Sequence, residues 1–150
     1  MTTNPQNVPG TLVVERLFPH PPQKLWRALT ESPLLAQWLM KNDFESTVGR
    51  KFQFRSDPVP GWDGLIHCEV LIVEPFKQLS YTWSSMGADF VVLFTLTPAE
   101  GATHLRMDQS GFRPEHQAAY KGATYGWQHF FANLYQLLAA QGQSLSGGAA

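Results

Sequence analysis

Apolar and polar positions along this chain follow two different periods, and the switches between them outline the elements. Leu12 to Phe18 reads as a strand. Pro21-Pro22 then puts proline in the first turn of a short helix whose apolar face is Leu25, Trp26 and Leu29. Ser32-Pro33 reads as an N-cap and first-turn proline for a second short helix carrying Leu34, Leu35, Trp38 and Leu39. From Asp43 the pattern alternates, with strands expected at Lys51–Arg55, Leu65–Val73, Gln78–Ser84, Phe90–Thr97 and His104–Gly111. Turn chemistry separates them: Asp57-Pro58-Val59-Pro60-Gly61, Glu74-Pro75, Met86-Gly87 and Thr97-Pro98-Ala99-Glu100-Gly101. The helical period returns at Pro114–Gln141, where Tyr120, Ala123, Trp127, Phe130, Phe131, Leu134 and Leu138 share one face. A continuous helix from about Glu115 to about Ala140 is expected there.

About six strands, two short helices after the first strand and one long helix at the end make an α+β order, not a βαβ alternation. The aromatic stripe of the last helix needs cover, and a curved antiparallel sheet wrapped around it is the natural cover. Strand parity assigns the inner face: Phe52 and Phe54; Leu79, Tyr81 and Trp83; Phe90, Val92, Phe94 and Leu96; Leu105, Met107 and Gln109. Leu65–Val73 is apolar on both parities, so its faces stay unassigned. The space between helix and sheet is either a packed core or a hollow fit for an apolar ligand. Gln109 on that inner face must bond a neighbour or a ligand, since a buried unpaired amide costs about 1–3 kcal/mol. Gly122 and Gly126 also need a reason, because glycine within a helix costs about 1 kcal/mol relative to alanine. Close approach of helix to sheet is one explanation, and a kink opening the mouth of a pocket is the other.

Composition narrows the function classes. At 150 residues and 43% hydrophobic content the chain suits one domain, expected over residues 11–141 with flexible tails at 1–10 and 142–150. A formal net charge of -1 with scattered Lys and Arg gives no footprint for nucleic acid. No apolar run reaches membrane-spanning length, and the polar, proline-containing start does not read as a signal peptide. A single cysteine, Cys68, fits a reducing compartment, so a cytoplasmic protein is expected. The five histidines show no metal-ligand spacing, and no metal or other cofactor is expected. Cys68 and His67 are strand neighbours pointing to opposite faces, which argues against a nucleophile pair. No catalytic residue emerges, and the chain reads more as a binding protein than an enzyme.

Several stretches in this order resemble the START/Bet v 1-like (SRPBCC) superfamily, and more narrowly the family related to the C-terminal domain of the activator of heat shock protein 90 ATPase. They are Pro21-Pro22-Gln23-Lys24-Leu25-Trp26-Arg27-Ala28-Leu29-Thr30, Gln37-Trp38, Glu69-Val70-Leu71-Ile72-Val73-Glu74-Pro75, Leu79-Ser80-Tyr81-Thr82-Trp83, Ser110-Gly111-Phe112 and Gly126-Trp127. The resemblance implies a helix-grip fold over roughly residues 11 to 140, with an internal cavity that in the superfamily binds apolar molecules. The matched motifs are architectural, so no catalytic role transfers with them. The expected site is a cavity lined by Trp38, Phe52, Phe54, Tyr81, Trp83, Phe94, Met107, Gln109, Trp127 and Phe131, holding a small apolar or aromatic ligand. Two other functions follow from the resemblance: an enzyme of the aromatase/cyclase type, and contact with a chaperone such as heat shock protein 90. A homodimer is a further expectation, from a modest apolar surface at Tyr125 and the two prolines near Phe76 and Phe112.

Overall fold

The computed structural model describes the backbone of residues 10–149 and the side chains of residues 10–140, so the tail expected at 1–10 lies, apart from Gly10, outside the described residues. Seven strands form one antiparallel sheet: β1 (Thr11–Phe18), β2 (Lys41–Asn42), β3 (Lys51–Arg55), β4 (Leu65–Glu74), β5 (Gln78–Ser85), β6 (Ala88–Ala99) and β7 (Ala102–Ser110). Their order across the sheet is β1-β7-β6-β5-β4-β3-β2. Two short helices, α1 (Pro22–Thr30) and α2 (Ser32–Trp38), link β1 to β2, and α3 (Gln117–Ala149) follows a 3-10 turn at Pro114–His116. The architecture is the helix grip, a curved sheet closed over its C-terminal helix. No helix among the described residues is long and apolar enough to cross a membrane.

Side-chain alternation drives the sheet to bury one face. Phe52, Phe54, Leu79, Tyr81, Trp83, Phe90, Val92, Phe94, Leu96, Leu105 and Met107 all point inward and are buried. From α3 they meet Trp127, Phe131, Leu134 and Leu138, each large side chain contributing about 1.5–3 kcal/mol. The turns permit this register. Met86 and Gly87 take φ of 54° and 79°, and Glu100 and Gly101 take 28° and 76°, so both hairpins close through left-handed residue pairs. That handedness suits the twist of the flanking strands. Pro98 and Ala99, expected in the second turn, instead pair with Thr103 and Ala102 inside the ladder.

Several expectations change. Strand β4 carries a bulge between Val70 and Ile72, so Ile66, Cys68 and Val70 face the core while both Leu71 and Ile72 turn outward. This is why its apolar residues fell on both parities. Ser32 is not the N-cap of α2, since Glu31 holds that position without a side-chain bond. The Ser32 hydroxyl donates to Asn42 Oδ1 at 2.8 Å instead, tying α2 to the two-residue strand β2 that alternation could not reveal. Phe112, beside the expected apolar surface, is buried against Phe90 and Tyr120 with ring centroids at 4.6 and 5.1 Å. Tyr125 and Phe76 are exposed. The backbone of α3 is helical to Ala149.

A candidate ligand cavity

The interior is solid at one end and hollow at the other. A cavity of about 600 Å³ opens between the N-terminal half of α3 and the near ends of β5, β6 and β7. That size lies within the range of about 300–1,000 Å³ typical of small-molecule sites. The helix supplies His116, Ala119, Gly122, Ala123, Gly126, Trp127 and Phe130, and the sheet supplies Ile66, Trp83, Ser85, Ala88, Phe90 and Gln109. Leu39 and Met40 after α2, Ser56 and Trp62 from the β3–β4 loop, Met86 and Gly87 from the β5–β6 turn, and Phe112 close the remaining sides.

Local chain geometry accounts for each wall. Ala119, Gly122, Ala123 and Gly126 fall on one face of α3 at helical spacing, so the helix presents almost no side-chain volume there. A methyl group built on Gly122 would meet nothing within 4 Å, and one on Gly126 would meet only the ring of Phe130, at 3.9 Å. Close approach to the sheet therefore does not explain these glycines. α3 runs as one helix through both. The glycines leave room. Opposite them, the β3–β4 loop is pinned where Ser56 N–H donates to Gly64 O at 2.8 Å; Gly64 has φ +82° and no space for a Cβ against Ser56 O. This holds Trp62 over the hollow, its indole N–H donating to Leu65 O at 3.2 Å.

The ten residues expected on the lining divide between the two halves. Trp83, Gln109 and Trp127 stand on the cavity wall, with the two indoles 5.2 Å apart between centroids. Trp38, Phe52, Phe54, Tyr81, Phe94, Met107 and Phe131 do not: they are buried in the solid half. There Tyr81 sits among Phe52, Phe54 and Phe94 at 5.1, 5.9 and 6.0 Å, and Trp38 donates its indole N–H to Ala28 O at 2.9 Å. Parity identifies the inner face but not where along it the helix stands off. The small residues of α3 carried that information, together with Trp62, an aromatic in an otherwise polar Pro/Gly loop.

The polar chemistry of the cavity is sparse. Among the described residues its wall has no Asp, Glu, Lys or Arg. Gln109 is 3% exposed, and its Oε1 accepts the Trp127 indole N–H at 2.8 Å. His116, half-buried, accepts the Arg113 backbone N–H at Nδ1, 3.1 Å away, which leaves the neutral ring's proton on Nε2. Cys68 lies outside this wall, and burial, assisted by the negative charge of Asp43, pushes its thiol far above the usual range, so it is held protonated.

A curved sheet gripping a C-terminal helix around an apolar hollow defines the START/Bet v 1-like class. Residues 19–139 match the profile of the family "Activator of Hsp90 ATPase homolog 1-like protein", and the chain belongs to this family. Among solved structures it is similar to protein MLL2253 from Mesorhizobium loti, at 53% identity and TM-score 0.82 over 87% of this chain and 97% of that one. It is also similar to protein BH1534 from Bacillus halodurans, at 28% identity and TM-score 0.74 over 88% of this chain and 98% of that one. DynU16, described as a putative protein in the dynemicin biosynthetic locus, aligns at 27% identity and TM-score 0.76 over 88% of this chain; the match spans only 48% of DynU16. No curated protein matches.

Proposed function

We propose that this protein binds a small, uncharged, largely apolar molecule in the cavity between α3 and the sheet. The observation that carries this reading is the pair of helix glycines facing open space. Each costs the helix about 1 kcal/mol relative to alanine, and neither packs closely enough on the sheet to recover it. A wall kept thin at the expense of helix stability supports a hollow with a use. The aromatic lining and the lack of charged groups support a neutral ligand, because a buried unpaired charge would be strongly penalised. Catalysis of the cyclase type has weaker support, since among the described residues His116 is the one imidazole on a wall that has no carboxylate to act as its partner.

Nile red, a neutral dye that brightens in apolar surroundings, tests the reading directly. It should bind with about one site per chain and perturb tryptophan emission through Trp83 and Trp127. Native mass spectrometry of protein purified from its own host should show a co-purifying small molecule. A dye that finds no saturable site, together with a bare protein mass, would reject the proposal.

A further inference from the structure

Gln109 is the buried amide on the cavity wall, and its two ends have opposite chemistry. An indole N–H can only donate, so the Trp127 contact at 2.8 Å fixes the Gln109 oxygen toward the indole and turns the NH2 group away from it. That NH2 group donates to no protein partner among the described residues. The Trp83 indole N–H on the same wall is likewise without a protein acceptor among them. At the half-buried edge, the tautomer of His116 set by Arg113 makes its Nε2 a third donor. Three side-chain donors on this wall thus have no protein acceptor among the described residues, beside the Ser56 and Ser85 hydroxyls, which can accept as well as donate.

We infer that Gln109 selects the ligand by donating from Nε2 to a hydrogen-bond acceptor on it, with Trp127 holding the amide in the donating orientation. This rests on the ligand-binding reading above. The ligand class is a neutral, mainly aromatic or aliphatic molecule bearing a carbonyl, ether or ring-nitrogen acceptor. A carboxylate would also accept, but among the described residues the wall offers no Lys or Arg to accompany it out of water. A plain hydrocarbon would fit the hollow while leaving Nε2 unmatched.

Benzophenone and diphenylmethane separate the two ideas, because they have nearly the same shape and differ by a carbonyl in place of a methylene. Both should bind the wild-type chain if the hollow takes apolar ligands. Gln109→Met, similar in shape and without donors, should weaken benzophenone about tenfold and leave diphenylmethane unchanged or tighter. Should that variant fail to fold, nitrogen-edited NMR of the wild type decides: the Gln109 side-chain amide protons should move downfield with benzophenone and not with diphenylmethane. Equal affinity for the two probes with no selective amide shift would overturn the role of Gln109 while leaving the cavity reading intact. Failure of both probes to bind would remove the cavity reading and the inference with it.

Discussion

Tyr81 and Cys68 are single residues whose burial has measurable consequences. The Tyr81 hydroxyl is buried without a hydrogen-bond partner among aromatic rings, so it was dehydrated on folding with nothing in return. Tyr81→Phe should therefore raise stability by about 1 kcal/mol in urea unfolding; a loss of that size would mean the hydroxyl has a partner after all. Burial also pushes the phenol well above its usual range, as it does the neighbouring Cys68 thiol. An ordinary thiol here titrates near 9.0 and a phenol near 10.0. Above those values the unfolded chain has released protons that the folded chain retains, so stability is complete below about pH 9 and falls as pH rises. The expected slope is about 1.4 kcal/mol per pH unit from Cys68, with a similar contribution from Tyr81 above about pH 10. Cys68→Ala should flatten the first part of that decline in denaturant melts taken from pH 8 to 11. An unchanged slope would place the alkaline sensitivity elsewhere.

At the scale of elements, α3 combines two demands that the hydrophobic pattern alone did not separate. Its C-terminal part, with Phe131, Leu134 and Leu138, packs against the sheet and the short helices, while Gly122 and Gly126 face open space. Gly122→Ala adds a methyl into open space, so the helix should gain about 1 kcal/mol with no steric cost. A thermal melt that falls in this variant would show that something touches Gly122. Elsewhere, legibility followed how local the cause was. Alternation located β3, β5, β6 and β7 because each buries one face over five or more residues. The bulge in β4 was hidden because it depends on the partner strand, and β2 because two residues are too few to show a period. The Ser32 hydroxyl bonds a residue ten positions away, which no capping rule anticipates. Gln109 could be placed on the inner face by parity, but its partner Trp127 came from another element.

For the whole molecule, the central question is where packing ends and empty space begins, and two substitutions that each introduce a large aromatic ring distinguish the regions. Met107 is fully buried in the solid half and lies off the cavity wall. Met107→Trp should therefore overpack the interior and cost about 1–3 kcal/mol. Gly122→Phe places an aromatic ring at a position with no atom within 4 Å of a new Cβ, on the wall of a cavity of about 600 Å³. It should fold with wild-type stability or better and lose Nile red binding, because the ring occupies the ligand's volume. Truncation gives the opposite contrast: Trp127 bridges both halves, touching Trp83 and Phe94 and bonding Gln109. Trp127→Ala should cost about 3–5 kcal/mol and release Gln109 from its fixed orientation. If Met107→Trp and Gly122→Phe destabilised equally, the interior would be uniformly packed in solution, and the small residues of α3 would need another explanation. Stability retained in Gly122→Phe with dye binding abolished would tie the hollow to the binding, because only a ligand seated against that wall would be displaced by a ring that the fold itself accepts.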